Sequence, residues 1–366
     1  ILCWAAMAVA LPYLPVDAPE LSGAWFLFFF TISAAVTAFT GVSWTSWIQE
    51  WVPRHLRAKY FGARNRLMQI AQVIFLVLVG ELINRNAGSV RAFQFLLGAT
   101  VALRIVSVIL QHRMRTHSET VRTEAHAPYR QQLGVLLGSP AFLWLIAYGA
   151  AWGFAANCFG PFYAVFMYDE LSWTVRDVSQ LVILTSVGGA LSYPFWGAMA
   201  GRFGNKPVML FCMIAWQLQN FAWCFLTPDN DWMLYVMWSF GGMVAAGFTL
   251  GLFNIQLRVI PPAAKTLAIS VNLACTSLVT AIAPVIGGGV LGHFLNPGEG
   301  LRVYHTVFIV QPVLALLACL LLVRVHEPAA SPLSSVVGAM RNIRTLSGMF
   351  GLGFLANFIF VKNPRR

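Results

Sequence analysis

Long apolar runs separated by short polar interruptions dominate this chain, and the runs recur at close to the length that a membrane crossing requires. A helix needs about 20 mostly apolar residues to span the hydrocarbon core. Ten segments fit that pattern: 1–16, 22–48, 67–84, 90–111, 140–167, 178–200, 207–226, 232–254, 266–292 and 303–324. The pattern predicts an all-α polytopic membrane protein. The second run is long enough to tilt or to extend into the interface. The first is short and opens on Ile1 inside apolar sequence, without an initiator Met or flanking cations. The expectation is therefore a chain whose true start lies upstream.

Alternate connections differ in charge. One set holds Arg54, Arg57, Lys59, Arg64 and Arg66 within 49–66, then Arg113, Arg115, Arg122 and Arg130 within 112–139. The same set includes Arg202 with Lys206, Arg258 with Lys265, and the tail after Arg324. The other set holds only Arg85, Arg91, Arg176 and Arg302, beside Asp17, Glu20, Asp169, Glu170, Asp229, Asp231 and Glu299. By the positive-inside bias, 49–66, 112–139 and the C-terminal tail are expected in the cytoplasm, with the protein in a bacterial inner membrane.

The longest internal connection, 112–139, follows the fourth run and precedes six more. If the protein is two six-helix halves, the first half lacks two helices, which suits a chain starting within a helix. Secondary transporters are often built from such repeats, with the substrate site near the midplane. The expected organisation is 1–111 as the remainder of the first bundle, 112–139 as a central loop, 140–324 as the second bundle and 325–366 as a tail. A weak internal repeat supports it. Pro53, Arg57 and Gly62 after the second run match Pro261, Lys265 and Ser270 after the eighth, at a constant offset.

Composition sharpens the class. The chain is 58% hydrophobic and 10% charged, with a mean hydropathy of +0.70. Soluble domains carry about 25% charged residues, so too few polar groups are present to cover a globule in water. The net charge of +11 sits in short clusters beside apolar runs, whereas a nucleic-acid binder would spread cations over a polar surface. The six cysteines lie inside apolar runs without a CxxC pair, so neither a disulfide framework nor a metal site is indicated. The seven histidines are scattered without ligand spacing, which argues against a membrane enzyme.

Two polar stretches carry a family resemblance. "GAMAGRFGNK" places Gly197, Arg202, Gly204 and Lys206 in the connection between 178–200 and 207–226. It resembles the G-x-x-x-[DN]-[RK]-x-G-[RK]-[RK] loop of the major facilitator superfamily, with Gly201 in place of the acid and Asn205 in place of the first paired cation. "EWVPRHLRAKYFGARN" has a P-x-x-x-R-[AG]-x-Y-F-G core, with Pro53 and Arg57, similar to the loop between the fourth and fifth helices of bacterial members. The resemblance implies two six-helix bundles moving a solute by alternating access. It also implies that the loop residues orient the turn or latch one conformation, while a tight positive-inside turn explains them equally. Glycines at a four-residue turn permit close helix approach and unusual dihedrals.

Polar residues within the runs are the candidates for chemistry, since burial in lipid is costly. Asn157 lies at mid-depth among Trp152, Phe154, Phe159, Phe162 and Tyr163, next to Gly160-Pro161, which can bend the helix. Asn157, Phe154, Phe162 and Tyr163 are therefore candidate substrate residues, together with Gln72, Asn254 and Asn272. Each amide has an alternative as interhelical glue. Glu81 and Arg104 are the charges considered for coupling. Glu81 stands four residues before Arg85, a spacing that also fits a surface pair. Arg104 could instead snorkel. "APVIGGG" (283–289) reads as a bend and a close-packing surface, and 346–361 as an interfacial helix.

These readings converge on a secondary transporter of a small organic solute, not an enzyme. Amides and aromatic rings favour a neutral or amphiphilic substrate such as a sugar or nucleoside. Drug or metabolite efflux is the alternative, and a non-transporting sensor is a third reading. The expected partners are that small molecule, a proton or sodium ion, and the lipid bilayer. No cofactor, metal or nucleic acid is expected, and the chain is expected to be a monomer.

Overall fold

A computed structural model describes residues 2–14, 19–86, 90–113, 128–261, 264–294, 300–325, 327 and 330–341. Its helices are α1 (Leu2–Ala10), α2 (Pro19–Trp51), α3 (Arg57–Arg85), α4 (Val90–His112), α5 (Tyr129–Leu137), α6 (Pro140–Phe159) and α7 (Phe162–Asp169). They continue as α8 (Val175–Phe203), α9 (Asn205–Asn220), α10 (Met233–Val259), α11 (Lys265–Phe294), α12 (Gly300–Val323) and α13 (Leu333–Arg341). No strand occurs among the described residues. Inside a bilayer only closed hydrogen-bonding patterns are tolerated, and a helix closes its own.

The predicted runs all fall on helices. Nine helical stretches among the described residues are long and apolar enough to cross a membrane, α6 and α7 counting as one, and Leu2–Tyr13 forms a shorter apolar helix. Two helices were not expected. The last third of the 112–139 connection folds as α5, which buries Leu136. The tail forms α13, which buries Val336 and packs on α8 and α9. Both are short, and their apolar residues are too few to register as runs. The interfacial helix expected at 346–361 lies outside the described residues.

The chain forms two compact units: residues 1–51 with 74–127, and residues 52–73 with 128–366. The division differs from a cut at the central loop, because the first half of α3 packs with the later helices. In the first unit, α1 packs on α2 and α4. Trp4 Nε1 donates to Ser33 Oγ (2.8 Å) and Gln94 Nε2 to the Ala8 carbonyl (3.1 Å). The Arg104 guanidinium sits 5.5 Å from the centre of the Trp4 ring, a cation–π distance. Glu81 and Arg85 pair at 2.6 Å, both exposed.

In the second unit, α8 packs on α10, α6 on α11 and α12, and α9 on α10. Lipid tails are as apolar as Leu, so helices associate through close packing, and small residues permit it. Gly149 and Gly153 of α6 face Thr276 and Thr280 of α11. Gly287 meets the Cys158 carbonyl, and Gly242 of α10 meets the Thr185 backbone. The start of α3 joins the same unit by the same means. A Cβ on Gly62 would stand 3.1 Å from the Tyr193 carbonyl oxygen, and one on Gly197 3.0 Å from that of Ala58. Phe61 packs edge-on against Phe253, and Arg57 donates from Nε to the Val52 carbonyl and from Nη1 to that of Leu257. Notably, α3 opens at Arg57 and α11 at Lys265, the two positions matched by the weak repeat.

The packing of α6 on α11 generates a prediction. Gly287→Ala forces a Cβ into the Cys158 carbonyl, whereas Gly292→Ala on the same helix meets open space. Gly287→Ala should destabilise by about 1–3 kcal/mol, as overpacking does. Gly292→Ala should be neutral or slightly stabilising. Thermal unfolding of the two variants in detergent checks the difference.

Candidate substrate cavity and the capped turn

The fifth run, 140–167, loses its regular hydrogen bonding at Gly160–Pro161, where the backbone keeps helical dihedrals. Pro161 has no N–H to donate to the Asn157 carbonyl, so α6 stops at Phe159 and α7 restarts at Phe162. Beside the break lies a cavity of about 310 Å³, reached by Ala156, Gly160 and Tyr163 from this segment. Four indoles, Trp152, Trp216, Trp223 and Trp238, form much of its wall. Trp152 lies 5.6 Å from Trp216 and 5.0 Å from Phe248, centre to centre. Tyr163 stacks on Trp223 at 4.2 Å. Gly241, Gly242 and Ala245 supply a small-residue face on α10.

The polar groups of this cavity are amides and hydroxyls. Tyr163 Oη donates to Gln311 Oε1 (3.2 Å), and Asn220 Nδ2 donates to Gln217 Oε1 (3.2 Å) and, more weakly, to Gln311 Oε1 (3.4 Å). Thr185 Oγ1 lies within reach of the Leu181 and Trp238 carbonyls. Gln219 Oε1 is buried and accepts no hydrogen bond from the described residues. Among the described residues no charged side chain lines the cavity. The arrangement offers flat apolar faces for stacking, plus a spare acceptor for a ligand N–H or O–H.

Of the residues singled out from sequence, Tyr163 lines the cavity. Phe154 and Phe162 instead pack against the aromatic core around Phe166, Trp223 and Phe308. Asn157 Nδ2 donates to the Gly153 carbonyl of its own helix (2.9 Å), and Asn157 is not among the residues around the cavity. Gln72 is exposed on α3. Asn272 is half-buried on α11, and its carbonyl accepts from Thr276 Oγ1. Asn254 lies near the end of α10, on a different cavity. The sequence reading passed over Trp216, Gln219, Asn220, Trp223, Trp238 and Gln311. One signal was available: Trp216, Gln219, Asn220 and Trp223 are spaced three, four and seven apart, a single helix face within an apolar run.

The "GAMAGRFGNK" turn is held by a carboxylate from outside it. Gly204 adopts φ +97°, where a side chain would be strained and would crowd Ala330. Glu327, just beyond α12, then caps α9. Its carboxylate accepts from Asn205 N (3.2 Å), Asn205 Nδ2 (2.9 Å) and Lys206 N (2.7 Å). It also pairs with Arg258 Nη1 at 2.7 Å, with its own side chain 2% exposed. An anion at a helix N-terminus satisfies orphan N–H groups and complements the helix dipole. Lys206 Nζ in turn donates to the Val323 and Val325 carbonyls, closing the end of α12 (2.7 and 2.8 Å). Arg202 is exposed and lies over the Phe203 ring, while Gly201 faces open space. The acid missing at Gly201 is thus matched by one arriving from over 120 residues downstream. Glu327 was not singled out from the sequence, where "RVHEP" reads as the start of the tail.

Glu327→Ala should leave Arg258 unpaired and the first N–H groups of α9 unsatisfied. The Arg258 side chain is 39% exposed, so the loss falls mainly on the buried N–H groups, at about 1–3 kcal/mol, and Glu327→Gln should cost less because its carbonyl still accepts. Denaturation of both variants in detergent, read against the parent chain, checks the order.

Comparison with known proteins follows the fold. No curated protein sequence matches the chain. A bacterial homologue of the iron transporter ferroportin, solved in an outward-facing state, superposes with a TM-score of 0.61 over 83% of this chain and 74% of its own, at 17% identity. That likeness is one of fold. The family model described as Major Facilitator Superfamily matches residues 149–362, more than half of the sequence, and the chain belongs to that superfamily of membrane transporters.

Proposed function

We propose that the chain moves a small neutral or amphiphilic organic solute across a bacterial inner membrane by alternating access, and that the indole-walled cavity beside Gly160–Pro161 binds it. The observation that carries this reading is the lining itself: four tryptophans and a tyrosine, amides from Gln219, Asn220 and Gln311, and no charged residue among those described. Indole faces stack on sugar C–H groups or on nucleobases, and amides fix orientation by hydrogen bonds. The cation-rich connections 49–66 and 202–206 are proposed to face the cytoplasm.

The iron named for the structural neighbour is not proposed as cargo. Among the described residues no group of three or more His, Cys, Asp or Glu side chains is placed to hold a metal ion. Efflux of an amphiphilic drug or metabolite is compatible with the same apolar lining, and it differs only in the direction of flux. Glu81 is held by Arg85 at the surface, so coupling to a proton or sodium ion is proposed without a carrier residue.

The wild-type chain in proteoliposomes should take up a labelled sugar or nucleoside from a panel of both. Binding of the accepted solute should change tryptophan fluorescence. Trp152→Ala and Gln219→Leu should each weaken its apparent affinity by about tenfold, the worth of one stacked ring or one satisfied buried acceptor. If both variants bind as the parent does, the solute binds elsewhere.

A further inference from the structure

A second cavity, of about 250 Å³, lies at the far end of α10 from the indole cavity's wall. His55 and Arg57 reach it from the start of α3, Asn205 from the turn into α9, and Asn254 and Arg258 from the end of α10. Its character is opposite to that of the first. Two arginines and a histidine border it, and no acidic residue does among the described residues. The Glu327 carboxylate is already bound by Arg258, Asn205 and Lys206.

The amides at this cavity are the informative groups. Asn254 is 3% exposed, and neither its Oδ1 nor its Nδ2 has a hydrogen-bond partner among the described residues. Asn205 is 4% exposed, and its Oδ1 is likewise unpartnered. Buried amides are nearly always satisfied, and leaving three such atoms open around one polar cavity is costly. Turned toward the cavity that both residues border, they would present a donor and two acceptors beside cationic groups. A tetrahedral oxyanion carrying a proton matches that set. Its oxygens accept from Asn254 Nδ2 and the guanidinium groups, and its O–H donates to an asparagine Oδ1. A planar carboxylate has fewer oxygens and no proton to give.

We propose that this cavity is a binding site for a phosphate group, carried either by a soluble phosphate or by a lipid headgroup. Its lining comes from three separate segments, so an occupant ties the start of α3 to α9 and α10. A ligand that contacts all three segments favours the arrangement in which they meet. Gly201 also borders the cavity, and a Cβ there would meet open space. A carboxylate introduced at that position would supply the negative charge from the chain itself and repel the ligand.

The test uses the full chain, purified in a maltoside detergent and stripped of phospholipid, with thermal unfolding as the readout. One arm titrates inorganic phosphate against sodium chloride of matched ionic strength. The other titrates short-chain phosphatidic acid against the diacylglycerol with the same chains. Near saturation, at least one arm should raise the unfolding temperature by about 3 °C or more. A shift with phosphatidic acid alone assigns the site to a lipid headgroup, and a shift with inorganic phosphate assigns it to the phosphate group itself. Asn254→Leu should fold at least as stably as the parent, since it removes an unpartnered amide, yet lose the shift. Gly201→Asp should lose it too, while Gly201→Asn keeps it. No shift in either arm, or a shift that survives both Asn254→Leu and Gly201→Asp, overturns the proposal.

Discussion

A backbone within a bilayer has no water to satisfy its N–H and C=O groups, and the architecture of this chain follows from that constraint. It turns the apolar runs among the described residues into helices. It also makes each interruption of a helix informative, because the groups released there must find partners or line a cavity. The break at Gly160–Pro161 leaves backbone beside a cavity walled by indoles. The other sharp interruption, at Gly204, is answered by the Glu327 carboxylate, which takes up the first N–H groups of α9. At the first Pro161 withholds a donor, and at the second Gly204 adopts positive φ.

Much of the fold was legible because it depends on length and composition alone. The runs at 22–48, 207–226 and 266–292 became α2, the α9 segment and α11 with shifts of only a few residues at their ends. The surface pairing of Glu81 with Arg85 was legible from spacing. The site was far less so. Hydropathy does not record which way a side chain points around a helix. Tyr163 and Asn157 looked equivalent, yet one lines the cavity and the other bonds back to its own turn. Gln311 lies over 140 residues from Tyr163, and only packing of α12 on α6 and α9 brings them together. Glu327 was hidden for the same reason, as a lone acid in a polar stretch whose partners lie on α9 and α10.

Charge is distributed by the same logic of solvent. Arg85 and Arg202 stay exposed, where their interactions contribute little to stability. Glu327 is buried, but four donors surround its carboxylate, and a desolvated anion is tolerated only with such a set. The indole cavity avoids charge altogether and relies on amides, whose desolvation is cheaper. The cavity at His55, Arg57 and Arg258 is the exception. There cations and unpaired amides meet without a lining carboxylate, and that imbalance is what calls for an anionic occupant.

The helix α10 connects these features physically. It runs from Met233 to Val259 without an internal proline, so it moves as a rod. Trp238, Gly241, Gly242 and Ala245 border the indole cavity near its first half, and Asn254 and Arg258 border the cationic cavity near its end. Between them Gly247 and Gly251 lie so close to Cys212, Trp196 and Met209 that added side chains would overlap their neighbours. Interiors packed this tightly cannot deform continuously, and they shift between discrete arrangements instead. A displacement of α10 that separated Arg258 and Asn254 from the start of α3 would therefore also move a wall of the indole cavity. Because both cavities border the same rod, a shift of α10 reshapes the two together.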